Sequence, residues 1–223
     1  MKKLLPYFKL SVYLIMAIGL SVARAAAYED FFKAVGVDDA PVVQSLLQRG
    51  FDANSRDEKG QTGLFLALRG GSFQVAEILL KAPGLDVNAL NEAGESALMI
   101  AALKGQADWS RRLIERGAQI DKAGWSPLHY AATGPEPAVV KLLLDRGAPI
   151  DALSPNGSTP LMMAAMYGSI TAVKLLLDEG ADPLMKNQLG MTATDFAQKA
   201  NRPDAVQLLS AAVRSKKPSD GKW

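Results

Sequence analysis

The sequence predicts an all-α repeat solenoid, built from helix-turn-helix units and preceded by an export signal. Three observations lead to this prediction. A short motif beginning with glycine recurs five times, and a leucine-rich run follows most of its copies. The first 25 residues differ from the rest of the chain, because they are basic and apolar and contain no acidic residue. Recurrence at a period of about 20–50 residues is the signature of a stacked repeat, and it determines the whole fold.

The five motif copies begin at Gly60, Gly94, Gly124, Gly157 and Gly190, so successive copies are 34, 30, 33 and 33 residues apart. A threonine or serine follows two residues after each glycine, and such a hydroxyl caps the free amides of a helix start. The run LLLDRGA or LLLDEGA supplies an apolar second helix that ends at glycine. Each copy therefore predicts two helices.

The pattern resembles the ankyrin repeat. The third copy reads SPLHYAA from Ser126, and the fourth reads TPLMMAAMYG from Thr159. The resemblance covers about residues 28–213 and is that of an exported, periplasmic-type bacterial ankyrin-repeat protein. It implies an all-α ankyrin-repeat solenoid with β-hairpin-like fingers between repeats, and binding of a protein on the concave surface of fingers and first helices.

The chain divides into eight predicted segments. In order they are a signal peptide (1–25), an N-terminal capping repeat (28–57), four ankyrin repeats (58–90, 91–121, 122–153 and 154–186), a C-terminal capping repeat (187–213) and a disordered basic tail (214–223). The first capping repeat lacks the TPLH motif and takes its first helix from residues 29–35. The last has a more polar first helix, as the end of a stack requires.

The N-terminus has the three parts of a secretory signal. Lys2 and Lys3 precede an apolar stretch over residues 10–20, which leads to the small-x-small site at residues 23–25. An uncleaved membrane anchor is the alternative, but a spanning helix needs about 20 apolar residues. We expect cleavage after Ala25, a periplasmic product, and membrane contact only through the signal before cleavage.

The charge balance argues against a nucleic-acid partner. The whole chain has a formal charge of +2, but the signal and the tail carry the excess of bases. Residues 26–213 contain 17 basic and 22 acidic side chains, a net charge of −5. A groove for nucleic acid would need a basic surface. The chain has no cysteine, which excludes disulfides, thiolate metal sites and a cysteine nucleophile.

No catalytic, metal or cofactor site is predicted. His129 is the single histidine of the chain, so it lacks the partners of a triad or of a histidine metal site. The resemblance implies that it forms hydrogen bonds between neighbouring turns. Acidic pairs such as Asp38-Asp39 fall in turns, where carboxylates are ordinary solvated groups. We expect no cofactor and no enzymatic activity.

Several local irregularities are expected. The finger at residues 119–123 lacks about three residues, and Pro135 and Pro137 should shorten the first helix of their repeat and stiffen the following loop. Trp109 stands at a position that core aliphatic residues usually occupy, so we expect it in the core or between repeats. The glycines that end three first helices should be left-handed, and these are Gly71, Gly105 and Gly168.

The partner is expected to contact exposed finger and first-helix positions. The predicted set is Trp125, Tyr167, Met166, Met191, Lys122, Glu58, Glu92, Glu95, Arg69 and Lys104. Its large apolar members suit a binding anchor. The alternative is that they pack against one another and cover the short finger.

Three functions fit such a surface. The leading hypothesis is a monomeric, non-enzymatic scaffold that binds an exported protein. The first alternative is an inhibitor or immunity protein that blocks a secreted enzyme, because acidic fingers would steer a basic target. The second alternative is an effector that acts in a host cell.

The signal predicts the N-terminus of the mature protein. When the full chain is expressed in a Gram-negative host, the periplasmic product should begin at Ala26, because signal peptidase cleaves after small-x-small sites. Intact-mass measurement and N-terminal sequencing would check this. A product that keeps residues 1–25 and stays with the membrane fraction would contradict it and favour the anchor.

Overall fold

A computed structural model describes residues 24–216, and this part of the chain contains helices and one isolated antiparallel bridge, between Arg56 and Thr62, but no strand. The described part of α1 covers residues 24–36. The other helices are α2 (Ala40–Gln48), α3 (Gly63–Gly70), α4 (Phe73–Leu80), α5 (Ala97–Leu103), α6 (Ala107–Glu115), α7 (Pro127–Thr133), α8 (Pro137–Asp145), α9 (Pro160–Met166), α10 (Ile170–Asp178), α11 (Ala193–Lys199) and α12 (Pro203–Lys216).

The two ends differ in part from expectation. Most of the predicted signal, residues 1–23, and most of the predicted tail, residues 217–223, lie outside the described residues. The described part of α1 already includes residue 24, upstream of the predicted helix start. The prediction of a disordered tail is wrong for residues 214–216, which belong to α12. Basic side chains suit the negative end of a helix, and Lys216 Nζ also lies 3.3 Å from Asp182.

The described residues form two compact units, which divide between Asp86 and Val87. In the first, α1 packs on the start of α3: the Phe31 ring lies 2.6 Å from where a Cβ of Gly63 would stand, which explains a glycine there. The carboxylate of Asp38 accepts the N–H of Val75 at 2.9 Å. This contact caps α4, whose own N-cap serine makes no such bond.

In the second unit the helices form two rows. The first helices α5, α7, α9 and α11 pack on one another in chain order, while α6, α8, α10 and α12 each pack beside their own first helix. Small residues line the contacts within the first row, and buried alanine pairs stand at 101–102, 131–132 and 164–165. The structure thereby confirms the predicted helix-turn-helix stacking.

The predicted role of one glycine is wrong. Gly71 and Gly105 have φ values of +83° and +70°, as expected of helix-ending glycines. Gly168 is not among the described residues with positive φ. A Cβ there would lie 2.1 Å from the carbonyl oxygen of Ala132 in the preceding repeat. Close packing of neighbouring repeats, rather than a left-handed turn, requires this glycine.

The two prolines do not shorten their helix, contrary to expectation. α7 spans seven residues, the same as α5 and α9. Pro137 opens α8 instead, at the first helical position where a missing N–H costs nothing. Gly134 is extended (φ −74°, ψ 170°), and this conformation leads the chain from α7 into the proline segment without taking residues from the helix.

The structure excludes the core alternative for Trp109, whereas packing between repeats stays a prediction. It is half-buried, whereas Val139 and Ala172 at the equivalent positions of α8 and α10 are fully buried. An indole is too large for the space that holds valine or alanine, so part of it faces solvent. The guanidinium of Arg112 lies over the ring at 4.3 Å from its centroid.

The finger turns are closed by side chains. Oδ1 of Asp57 accepts the N–H groups of Lys59 and Gln61, and Asn91, Ser154 and Asn187 form similar bonds in later fingers. The described residues 119–125 contain no such bond, which agrees with the predicted short finger.

Replacement of Gly168 by alanine should destabilise the stack. The added methyl group would overlap the Ala132 carbonyl, and overpacking of this kind typically costs about 1–3 kcal/mol. Urea unfolding followed by circular dichroism would measure the loss. Gly36→Ala is the matched control: no atom lies within 4 Å of its Cβ position, so it should be neutral or slightly stabilising. Equal stability of both variants would contradict the close approach.

Candidate protein-binding site

The second unit has an open apolar groove across the exposed faces of three first helices. Its volume is about 270 Å³. Six residues line it, namely Leu103, Trp125, His129, Tyr130, Thr133 and Met163. We call this the tryptophan groove. It draws one side chain from α5, three from α7 and one from α9, and Trp125 stands just before α7.

Trp125 is held in place by the backbone on both sides of it. Gly124 has φ +81°, a conformation that turns the chain out of the short finger. Ser126 is the N-cap of α7 and is buried. The indole meets the ring of His129 edge to face, with centroids 5.3 Å apart and an angle of 78° between the rings. Trp125 is therefore half-buried, with one side left to the groove.

His129 lines the groove and forms the hydrogen bonds between neighbouring turns that the resemblance implied. Its Nδ1 accepts the N–H of Ser126 at 3.2 Å and lies 2.9 Å from the hydroxyl oxygen of that residue. Its Nε2 lies 3.0 Å from the carbonyl oxygen of Ser158 in the next repeat, so Nε2 carries the proton. Burial lowers the pKa of His129, which keeps the ring uncharged.

A polar cluster adjoins the aromatic residues. The Tyr130 hydroxyl donates to Oε1 of Glu95 at 2.8 Å, and the Asn91 amide donates to Oε2 at 2.8 Å. The backbone N–H of Glu95 in turn donates to Oδ1 of Asn91. Burial and the neighbouring carboxylate raise the pKa of Tyr130, so its hydroxyl remains a donor. Glu95 is thus fixed by two uncharged donors.

The predicted binding residues occupy different surroundings. Trp125 lines the groove, and Glu95 is joined to it through Tyr130. Tyr167, the C-cap of α9, is 59% exposed but does not line the groove. The other predicted residues of this unit that lie outside the groove lining are Met166, Met191, Lys122, Glu92 and Lys104. Glu58 and Arg69 are exposed in the first unit, and Arg69 lies over Phe65.

Trp125 is the one groove-lining residue that belongs to the predicted binding set, and two of the others are equivalent to each other. Tyr130 and Met163 occupy equivalent positions, because each is the fourth residue of its helix, α7 or α9. Both are half-buried rather than core. The available signal was the tyrosine itself, because a polar-tipped aromatic in the signature helix marks a side chain with one end at the surface.

Within residues 24–216, no group of three or more histidine, aspartate or glutamate residues is arranged to hold a metal ion. None of the helices in this range is long and apolar enough to cross a membrane.

Comparison with known families identifies the repeats. The family model for ankyrin repeats (three copies) matches residues 31–122, 83–154 and 128–218. The chain belongs to the ankyrin-repeat family. Ankyrin repeats mediate protein–protein interaction, so this protein is an interaction module that binds another protein.

The curated relatives are similar to this chain over a small part of their own length. The chain is 32% identical over 177 residues to human neurogenic locus notch homolog protein 2, a match covering 71% of this chain and 7% of that protein. It is 32% identical over 126 residues to mouse neurogenic locus notch homolog protein 1, covering 55% of this chain and 5% of that protein. The chain thus spans less than a tenth of these relatives.

One solved structure matches over nearly its whole length. It is a chain in the complex of a predatory endopeptidase from Bdellovibrio bacteriovorus with immunity protein Bd3460. The TM-score is 0.71 at 29% identity, and the match covers 84% of this chain and 98% of that one. This similarity supports the all-α ankyrin solenoid.

His129 should make stability depend on pH. Its pKa is lowered in the folded state, so as the pH falls through the ordinary histidine pKa the unfolded chain takes up a proton more readily than the folded chain does. The free energy of unfolding should therefore fall as the pH falls below about 6.5. Denaturant titrations at several pH values would measure it.

The matched variant is His129→Met, because Met99 and Met162 accept the N-cap N–H at the equivalent positions. It should cost about 1 kcal/mol for the lost bond to Ser158 and flatten the pH dependence. An unchanged slope in the variant would refute the assignment.

Proposed function

We propose that this chain is an exported, monomeric and non-enzymatic immunity protein that binds and inhibits a secreted bacterial hydrolase. The observation that carries the proposal is its likeness to a chain in a complex that pairs an endopeptidase with an immunity protein. Since this chain is an ankyrin-repeat protein along residues 31–218, the immunity protein is its counterpart in that pair.

The geometry of the second unit supports a binding role. Its open groove is lined by Trp125 and Tyr130, which are residue types that anchor protein interfaces, and the Tyr130 hydroxyl donates to the carboxylate of Glu95 beside the groove. The single histidine is buried and both its ring nitrogens are engaged in structural bonds. These features favour recognition over catalysis.

Export is the second part of the proposal. The N-terminal sequence supports it through its basic start, its apolar stretch and its small-x-small site. A hydrolase and an immunity protein that meet in the periplasm must both be exported there. Export of this chain is therefore consistent with the proposed inhibition of a secreted enzyme.

The experiment combines capture with an activity measurement. The mature chain carrying an affinity tag would be exported in its native host and recovered from the periplasm, and mass spectrometry would identify the bound protein. The purified partner would then be assayed for hydrolysis with increasing amounts of the chain. We expect a stoichiometric loss of activity. Recovery of a partner whose activity is unchanged would refute inhibition and favour the scaffold hypothesis.

Trp125→Ala is the variant that connects this function with the groove. Truncation of a central aromatic anchor typically costs about 2 kcal/mol or more, so the inhibition constant should rise by roughly 30-fold. Thr171→Ala is the control, because Thr171 is exposed on the second-helix row and outside the groove. If both variants inhibit as well as the unmodified chain, the partner does not use the tryptophan groove.

A further inference from the structure

We propose that the tryptophan groove receives an arginine side chain of the partner protein. The proposal rests on the proposed function in one respect, namely that the partner is a protein. It adds the chemistry of the residue that enters, which no similarity to other proteins supplies.

The walls of the groove suit a flat cation. Trp125 and Tyr130 are half-buried aromatic residues on one side of α7, and a guanidinium group stacks on aromatic faces more readily than an ammonium group does. Leu103 and Met163 lie on the flanking helices and offer apolar surface to the methylene stem of the same side chain. His129 adds an uncharged ring, so it does not repel a cation.

The charge that pairs with the cation comes from Glu95. Glu95 stands directly before its N-cap serine, as Trp125 does in the next repeat, so the two residues occupy equivalent positions one repeat apart. Tyr130 and Asn91 each donate one hydrogen bond to a different carboxylate oxygen, which leaves each oxygen able to accept another. Between residues 24 and 216, no lysine or arginine forms an ion pair with Glu95.

This combination selects among occupants. A purely apolar segment would cover the carboxylate without replacing its solvation, which carries a cost. A lysine would satisfy the charge but could neither stack as a plane nor donate in two parallel bonds. The volume of about 270 Å³ is below the usual range of roughly 300–1,000 Å³ for small-molecule sites and suits one long side chain. The net charge of −5 over residues 26–213 also attracts a basic partner surface.

Capped tripeptides test the groove without the partner. The probe is acetyl-glycyl-arginyl-glycinamide, and its control carries citrulline, which has the shape of arginine but no charge. Binding to the mature chain would be followed by nuclear magnetic resonance of the indole N–H groups, with the Trp125 signal assigned from Trp125→Phe. We expect the arginine peptide to shift this signal saturably and to bind at least about fivefold more tightly than the citrulline peptide.

Two variants isolate the carboxylate. Glu95→Gln keeps an acceptor for Tyr130 but removes the charge, so the arginine peptide should bind it no better than the citrulline peptide. Asp178→Asn is the charge-matched control, since Asp178 is an exposed acid at the end of α10 and outside the groove, and it should leave the affinity within about twofold. An unchanged Trp109 indole signal would show that each variant is folded.

Equal binding of the arginine and citrulline peptides, or no saturable shift of the Trp125 signal, would overturn the proposal. An unchanged arginine affinity in Glu95→Gln would do the same. These outcomes are distinct from failure of the proposed function. If the chain inhibits an enzyme but its groove does not bind arginine, the enzyme is contacted elsewhere and only the arginine proposal fails. If the groove binds arginine but the chain inhibits no enzyme, only the proposed function fails.

Discussion

The close approach of successive first helices is the constraint on which the second unit depends. Alanine pairs at 131–132 and 164–165 are fully buried between these helices, and a larger side chain would force them apart. The same approach explains Gly134 and Gly168, whose missing Cβ atoms leave room for carbonyl oxygens of the preceding repeat at 2.9 and 2.1 Å. A helix pair exposes apolar surface on both sides when isolated, so its stability comes from this contact with its neighbours.

The spacing that this packing sets also produces the site. Side chains at equivalent positions of adjacent repeats come to lie side by side, and a residue of one repeat can therefore bond to the next. Tyr130 reaches back to Glu95, and His129 reaches forward to Ser158. The groove is thus built from three repeats, of which the middle one contributes four lining side chains and each neighbour contributes one.

Much of this fold could be predicted from the sequence because the same local signals recur in successive repeats. Threonine or serine caps, the leucine runs and the glycine stops each predict a local structure that recurs. The wrong predictions have separate physical causes. Gly168 is needed for packing rather than for a turn, Pro137 begins a helix rather than cutting one short, and Trp109 is too large for its core position.

The repeat pattern also made part of the candidate site predictable. Trp125 and Glu95 stand at variable positions before helix caps, where large or charged residues are noticeable in the sequence. Tyr130 and Met163 lie inside helices whose apolar pattern hides them among core residues, so only the geometry separates them. Tyr167 is exposed, as the sequence predicted, but it does not line the groove.

The similarity to other ankyrin proteins and the specificity of this one reside in different residues. Identities of about 30% to notch proteins and to a chain of an endopeptidase–immunity complex are compatible with a shared packing scheme of caps, alanines, leucines and glycines, because the stack constrains those positions. Trp125, Tyr130 and Glu95 occupy positions that the packing leaves free: Tyr130 donates a hydrogen bond to Glu95, and Trp125 meets the His129 ring. In the function and the arginine site proposed above, these three side chains select the partner, and the ankyrin architecture supplies the distances between them.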